Sequence, residues 1–495
     1  MKAVVLTFDR LPSHLLGCYG NEWIETPGFD RLAASGSVFD QHFAELPGPV
    51  GPNHPWWTGE FEFFAARPID HSTEESSSIS WLKILADQGV KCRLLAEQLE
   101  GLPIGLFYSA EEVGGSDGLN VDHHDVPIAR LVQRGIELLA GDKDDAASSG
   151  VSDSSSELLW LHSRGVPSPW LPPRLFAELY LDELEEVLAE ESGGEIASSL
   201  VSQFETDPDL VRLLLSDWQL DPEMEDGEPD PKFDEPTGDP SSQPSPEAQS
   251  DAQLDEVESP ELELQISKLV FAGYVSLIDQ WLQKLLAAVE NSDERVLLVV
   301  SANQGRSFGE GADLMSEPVS PSFRTSEETS DGTVRPSAIQ LSHSLCDTEL
   351  RTPLMMAEFS PNAGDHQFGS RHSALVQPVD LAATLSHWFR SDATGVPENT
   401  VETTSDLAGV SLLAALLGGS PQGHQTTFHL GPDGQAGVRN RNWTLITSDL
   451  NELDDPAVRL FAKPDDQWDV HNVSSQYPDE VSAMLDVLQK RRHSR

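Results

Sequence analysis

The residues that could do chemistry stand in no familiar catalytic or metal-binding spacing. The three cysteines, Cys18, Cys92 and Cys346, are far apart and odd in number, which fits neither a disulfide framework nor a zinc site. The loop histidines His54 and His372 have the wrong spacing for a metal site, so we interpret them as hydrogen-bonded or solvated side chains. No Ser-His-Asp spacing and no carboxylate cluster predicts a new hydrolytic centre. Any site must be assembled from residues that the fold brings together.

Short aliphatic runs alternate with amphipathic stretches along most of the chain. The runs predict buried strands at residues 3–8, 91–95, 157–161 and 295–300. The amphipathic stretches predict helices at residues 79–88, 128–140, 266–290 and 378–388. Buried strands separated by helices indicate an α/β fold, a mostly parallel sheet sandwiched by helices. Sites on such sheets gather at the carboxyl ends of the strands.

The composition divides the chain into two folded parts and one insertion. We expect residues 1–400 to form the α/β domain and residues 401–495 a C-terminal subdomain, a small antiparallel sheet with a terminal helix. Its elements are predicted at residues 407–417 (helix), 426–430, 437–439, 443–448 and 459–461 (strands), and 478–489 (helix). Residues from about 216 to 262 are predicted to form a disordered acidic insertion. Fourteen acidic residues and eight prolines lie between Asp221 and Pro260, a composition that cannot bury enough apolar surface to fold.

The charge balance excludes two classes of partner. With 83 acidic and 31 basic residues the formal net charge is -52, which repels nucleic acid and anionic membrane surfaces. No stretch approaches the roughly 18 apolar residues of a membrane helix, and the apolar run at the N-terminus is too short for a signal peptide. We therefore expect an acidic, cytoplasmic protein that binds neither nucleic acid nor membranes.

Two adjoining segments near the N-terminus carry a resemblance to a known family. Residues 6–20 read LTFDRLPSHLLGCYG and residues 25–33 read ETPGFDRLA. Both resemble the opening of the sulfatases, a family of the alkaline phosphatase superfamily. Further similar segments follow in family order at residues 82–95, 158–173, 273–286, 301–310, 351–354, 378–382 and 438–446. The resemblance implies the fold of a sulfuric ester hydrolase over nearly the whole chain.

The resemblance also implies a nucleophile that this chain lacks. In the family, a Cys or Ser within a Cys/Ser-x-Pro-x-Arg motif is converted to formylglycine. Alignment without gaps puts Pro49 at the nucleophile and Asn53 at the motif arginine. Because proline carries no nucleophilic group, we expect no catalytic residue there. The neighbouring Trp56 and Trp57 are expected to pack in the core.

The implied calcium site is degenerate by the same comparison. The family supplies an Asp pair on the first strand and an Asp followed by Asn or His on a later one. Here Asp9 remains, Arg10 takes the second Asp position, and Asn303 and Gln304 take the later pair. Two carboxylates are lost and a permanent positive charge is gained, so we expect no Ca²⁺ cofactor and no other metal. The Arg10 guanidinium is expected within hydrogen-bonding reach of Asp9 and Asn303.

The implied sulfate-binding positions are substituted as well. Glu97 stands where the family has Lys, Leu99 where it has His, and Pro167 where it has a second His. A site that loses its lysine and gains a carboxylate should repel sulfate and phosphate esters.

Two functions remain open. The first is a non-catalytic pseudo-sulfatase that binds a protein or small-molecule ligand or serves in regulation. The second is a hydrolase of sulfuric or phosphoric esters whose chemistry has moved to other residues of one cleft, namely Asp9, His54, Ser370 and His372.

Overall fold

The computed structural model describes thirteen stretches of the chain. They are residues 1–48, 50–61, 80–141, 156–166, 172–180, 260–307, 327–328, 334–335, 345–361, 369–394, 407–431, 434–448 and 457–493. Pro49, Pro167 and residues 216–259 of the expected insertion lie outside them. A helix begins at Pro260, close to the expected end of the insertion.

The main sheet has eight strands in the order β10-β2-β9-β6-β1-β5-β3-β4. Strand β9 runs antiparallel to both of its neighbours, and the remaining pairs are parallel. The strands of this sheet are β1 (Lys2–Arg10), β2 (Ser37–His42), β3 (Lys91–Ala96), β4 (Ser109–Glu112), β5 (Glu157–Gly165), β6 (Val296–Gln304), β9 (Leu354–Phe359) and β10 (Ser370–Val376). Two short strands, β7 (Glu327–Glu328) and β8 (Val334–Arg335), form a separate pair.

The four strands predicted from aliphatic runs are confirmed, and they form the centre of the sheet. Strand β1 is buried on both faces from Lys2 to Phe8, as expected for a strand covered by two layers of helices. Its register sets Arg10 opposite Gly165 of β5 and Gln304 of β6. The carboxyl ends of three parallel strands therefore meet at one level of the sheet edge.

Helices cover both faces of the sheet. One face packs against α1 (Pro27–Ser35), α4 (Pro127–Leu139) and α6 (Pro260–Glu290), and the other against α2 (Pro55–Thr58), α3 (Trp81–Asp87) and α8 (Val379–Thr394). The remaining helices described are α5 (Arg174–Ala177), α7 (Asp347–Leu350), α9 (Leu413–Leu416) and α10 (Pro478–His493). Among the described residues, no helix is long and apolar enough to cross a membrane.

Helix α1 is capped by a residue of another helix. Pro27 occupies the first turn, where its missing N–H is not needed. The two carboxylate oxygens of Asp279, on α6, accept hydrogen bonds from Gly28 N (3.0 Å) and Phe29 N (2.9 Å). A buried negative charge at a helix N-terminus is favourable, so this contact fixes α1 against α6.

The C-terminal sheet is antiparallel, with the order β11-β12-β13-β14. Its strands are β11 (Thr427–Leu430), β12 (Ala436–Arg439), β13 (Trp443–Thr447) and β14 (Val458–Ala462). The strand predictions are confirmed, and Met484 and Leu488 of the predicted terminal helix α10 pack on this sheet.

The helix expected at residues 407–417 is wrong in extent, since only Leu413–Leu416 is helical. Two backbone amides of this stretch bond to side chains of α8 instead of to a helical carbonyl. Val410 N donates to Asp380 Oδ1 (2.7 Å), and Leu412 N donates to Thr384 Oγ1 (3.0 Å). Gly409 adds a helix-disfavouring residue inside the stretch.

A buried ion-pair cluster joins the two sheets. Asp347, on α7, contacts Arg439 of β12, Arg351 (2.7 Å) and Lys463 (3.4 Å). Lys463 also lies 2.5 Å from Asp469. Burial alone would raise the pKa of Asp347, but the three cations outweigh it and the pKa lies below its ordinary value. The C-terminal sheet is thus anchored by charges that water does not screen.

Candidate functional site

Asp9, at the end of β1, is held by a histidine and a backbone amide. Asp9 Oδ1 lies 3.3 Å from His162 Nε2 on β5 and accepts a hydrogen bond of 3.1 Å from Val50 N. The Asp9 side chain is 22% exposed. Burial raises its pKa, but the attraction of His162, the bonds from His162 and Val50 and, least of these, the attraction of the Arg10 charge outweigh burial, and the pKa of Asp9 is lowered. Asp9 is therefore an ionised, partnered carboxylate.

The expected contact between Arg10 and Asp9 is wrong. Within the part of the chain that the structure describes, no hydrogen bond or ion pair joins the Arg10 guanidinium to Asp9 or Asn303. The reason is strand geometry, because consecutive side chains of a strand point to opposite faces. The register places Asp9 and Asn303 on one face of the sheet, and Arg10 and Gln304 on the other.

His162 links Asp9 to the interior of the sheet. Because a carboxylate only accepts hydrogen bonds, His162 Nε2 carries the proton that faces Asp9. On the other side of the ring, Nδ1 lies 3.0 Å from Thr7 Oγ1, which also accepts a bond of 2.8 Å from Trp160 Nε1. His162 was not among the residues predicted from the sequence, although a polar residue directly after the aliphatic run 157–161 is a signal for such a position.

Asn303, at the end of β6, is hydrogen-bonded through both atoms of its amide. Its Nδ2 donates to Gly48 O (2.7 Å) and Leu46 O (3.4 Å), and its Oδ1 lies 2.7 Å from His54 Nε2. His54 Nδ1 accepts from Trp56 N (3.3 Å), so Nε2 carries the proton and donates to Asn303. Burial lowers the pKa of His54 to about 3, which keeps the ring neutral.

These contacts tie the loop before α2 to the sheet at three points. Leu46 and Gly48 bond to Asn303, Val50 to Asp9, and His54 to Asn303. The loop carries the position that the resemblance assigns to the nucleophile, Pro49. Asn53, assigned to the motif arginine, is exposed to solvent in this loop.

A group of tryptophans lies beneath the loop. Trp56 and Trp57 are fully buried with Trp160 and Trp81, as expected for core packing. Trp81 Nε1 donates to Trp56 O (3.1 Å). Among the described residues, no acceptor lies within hydrogen-bonding reach of the indole nitrogens of Trp56 and Trp57. The loop therefore rests on a densely packed aromatic base.

Glu97, after β3, turns into the protein rather than towards a ligand. It is 4% exposed; Ser163 Oγ donates to Oε1 (2.6 Å) and Arg164 N donates to Oε2 (3.1 Å). The Arg164 guanidinium lies 3.6 Å away and also pairs with Asp117 (3.0 Å), to which Tyr274 donates. Burial nevertheless raises the pKa of Glu97 to about 7.

Within the described ranges, no hydrogen bond or ion pair involves the side chain of Leu99 or Gln304. Leu99 is partly buried and packs against the apolar cluster of the second face. Gln304 is buried on the face opposite Asp9, and its Oε1 has no hydrogen-bond partner among the residues described.

Ser370 and His372 do not join the group around Asp9. Ser370 Oγ lies 2.9 Å from His372 Nε2 and 3.0 Å from Ser37 Oγ. Both residues belong to the edge strand β10, and Ser370 pairs with Ser37 at the start of β2. Strands β2, β9 and β6 lie between β10 and β1, so Ser370 and His372 are far from Asp9 across the sheet. Asp9, His54, Ser370 and His372 therefore do not form one cleft.

The fold is similar to that of solved sulfatases and of a phosphonate monoester hydrolase, and the α/β fold expected from the sequence is confirmed. No protein-family model and no curated protein matches the sequence. The structure of BT4656 in complex with its substrate D-glucosamine-2-N,6-O-disulfate matches with a TM-score of 0.60 and 14% identity, over 99% of this chain and 97% of that chain.

Two further solved structures are similar to the same extent. BT1596, a 2-O GAG sulfatase, matches with a TM-score of 0.56 and 13% identity, over 99% of this chain and 92% of that chain. The phosphonate monoester hydrolase of Agrobacterium radiobacter matches with a TM-score of 0.56 and 14% identity, over 99% of this chain and 95% of that chain. At these identities the likeness establishes the fold.

Proposed function

We propose that this chain is a pseudo-sulfatase, a protein with the sulfatase fold that does not hydrolyse esters and serves in binding or regulation. The observation that carries the proposal is the contact set of Asn303. Its amide nitrogen donates to two carbonyl oxygens of the loop that carries Pro49. A divalent cation would attract the same two carbonyl oxygens. The amide hydrogens of Asn303 therefore replace the attraction that a metal ion would exert on this loop.

The donor set does not suit Ca²⁺, which takes six to eight oxygen ligands, carboxylates among them. Asp9 is the one carboxylate in contact with this group among the described residues, and it already accepts from His162 and Val50. The Asn303 oxygen accepts from His54. A cation at this place would have to displace several hydrogen bonds without gaining a second carboxylate.

The proline at the position that the resemblance assigns to the nucleophile supports the same proposal. Covalent hydrolysis needs a hydroxyl, thiol, amine, imidazole or carboxylate that is activated by a base or a metal. Proline at position 49 offers none of these groups, and the neutral His54 is committed to Asn303 and Trp56 through both ring nitrogens.

A metal analysis coupled to hydrolysis assays tests the proposal. The full chain is purified, its metal content measured, and aryl sulfate, aryl phosphate and phosphonate monoester are offered with and without added Ca²⁺. We expect no bound calcium and no hydrolysis above the buffer blank. Calcium retained at one ion per chain, or catalytic turnover of any of the three esters, overturns the proposal in favour of a hydrolase with relocated residues.

A further inference from the structure

Three metal-binding side chains meet in the loop between β4 and α4. Asp122, His123 and His124 each offer one ligand atom, and these atoms all lie within 4.8 Å of one another. None of the three contacts the group around Asp9 and Asn303. The cluster therefore stands independently of the proposed function.

Neighbouring residues hold the loop in shape. His124 N donates to Asp122 Oδ1 (2.8 Å), and the same oxygen lies 3.6 Å from His123 Nδ1. The rings of His123 and His124 lie with their centroids 4.1 Å apart. Trp281, on α6, donates from Nε1 to His123 O (3.2 Å) and packs edge-on against the His124 ring. The fold already orders these side chains, so binding a metal ion would cost less conformational entropy.

We infer that Asp122, His123 and His124 form a Zn²⁺ site. Two imidazoles and one carboxylate are a donor set typical of zinc, whereas Ca²⁺ and Mg²⁺ prefer oxygen ligands throughout. Tetrahedral bonds of the usual zinc length place ligand atoms about 3.4 Å apart. The ligand atoms, all within 4.8 Å of one another, therefore have to approach by at most about 1.4 Å to reach that spacing.

Exposure leaves room for these rotations and for further ligands. The Asp122 side chain is 61% exposed and that of His123 is 28% exposed. Water completes the coordination shell on the solvent side. A cation lies near the cluster, the Lys284 ammonium. It is 3.4 Å from the centre of the Trp281 ring, and this cation–π contact partly stabilises the lysine charge.

The test is a calorimetric titration of Zn²⁺ into the chelator-treated full chain, with excess Mg²⁺ present to occupy unspecific acidic sites. We expect one saturable site. Asp122→Asn and His124→Ala should each weaken binding about 10-fold or more, while His471→Ala, at an exposed histidine of the C-terminal subdomain, should leave the affinity unchanged. Co²⁺ in place of Zn²⁺ should give visible absorption bands that the two variants lose.

Thermal melts show whether each variant is folded before its titration is interpreted. Both substituted side chains are exposed, so folding should be retained. The inference is overturned if the unmodified chain takes up no Zn²⁺, or if the double variant Asp122→Asn with His124→Ala binds Zn²⁺ as tightly as the unmodified chain.

Discussion

His54 Nε2 lies 2.7 Å from Asn303 Oδ1, and this contact joins the loop before α2 to the end of β6. Both side chains are buried and both are fully hydrogen-bonded in their neutral forms. A buried polar pair with satisfied donors and acceptors is stabilising, while the loss of one member leaves the other unpaired at a high cost. The pair therefore makes this edge of the sheet a rigid structural junction.

The first prediction concerns Asn303→Asp. The change replaces a donating NH₂ by an oxygen that faces the carbonyl oxygens of Leu46 and Gly48, and it buries a charge. The free energy of unfolding should fall by about 3 kcal/mol or more, measured by urea denaturation. Added Ca²⁺ should partly restore the stability of this variant, since two carboxylates and two carbonyls then surround one place.

Asn440→Asp is the matched control. Among the described residues, the Asn440 side chain makes hydrogen bonds through its Oδ1, which accepts from Asn442 N (2.8 Å) and Trp443 N (2.9 Å). A carboxylate keeps both bonds, so stability should change by less than about 1 kcal/mol, with no response to Ca²⁺. Equal losses in the two variants would show that the donor role of Asn303 is unimportant.

The second prediction separates the real partner of Asp9 from the one expected from the sequence. His162→Ala removes the imidazole from a mostly buried carboxylate and should lower the free energy of unfolding by about 3 kcal/mol. Arg10→Ala should cost less than about 1 kcal/mol, because Arg10 lies on the other face of the sheet. Chemical denaturation measures the free energy of unfolding of both variants. A larger loss of stability in Arg10→Ala than in His162→Ala would contradict the contact between Asp9 and His162.

The third prediction concerns pH. The pKa of Glu97 is raised to about 7 in the folded protein, above its ordinary 4.5, so folding favours the protonated form. The stability from this group is complete at pH 4 and is lost as the pH rises through 7. Glu97→Gln should therefore gain stability relative to the unmodified protein between pH 5 and pH 8, by at most about 3 kcal/mol.

Stability is measured by denaturation at each pH, with Glu111→Gln as the control. Glu111 is exposed and pairs with Arg134 (2.9 Å) at the surface. Its substitution should shift stability by a small amount that is the same at both pH values. A pH-independent effect of Glu97→Gln would mean that Glu97 is ionised throughout this range.

The fourth prediction concerns the anchor between the two sheets. Arg439→Met leaves Asp347 with fewer cationic partners in a buried place, and should cost about 3–5 kcal/mol. Arg459→Met, on the neighbouring strand β14, should cost less than about 1 kcal/mol. Thermal melts compare the two, and similar melting temperatures would show that the buried pair adds nothing.

The sequence predicted the central strands because aliphatic runs such as residues 3–8 can only be buried on two sides. It did not predict β2, β9 and β10, whose outer residues are more polar and whose places depend on pairing with strands far away in the chain. Register across a sheet is a tertiary property. The run 157–161 could have pointed to His162 as a polar residue at a strand end, but its pairing with Asp9 depends on the register between β1 and β5.

The assignment of Arg10 to Asp9 failed for a reason that the sequence contains. Neighbouring residues of a strand face opposite sides, and this rule alone separates Arg10 from Asp9. By contrast, the bonds of Asn303 to the loop carbonyls depend on the path of residues 46–54, which no spacing in the sequence specifies. The resemblance to the sulfatases identified which family positions are substituted in this chain. It could not predict the hydrogen bonds that the substituted residues make.

Steady-state turnover of an aryl sulfate by the full chain, at high protein concentration and with Ca²⁺ supplied, tests whether this chain is a pseudo-sulfatase. Asp9→Asn serves as the matched control, because it removes the remaining carboxylate of the group around Asn303. The pseudo-sulfatase account predicts the same background rate for both proteins. A rate in the unmodified chain that exceeds the blank and disappears in Asp9→Asn would contradict it.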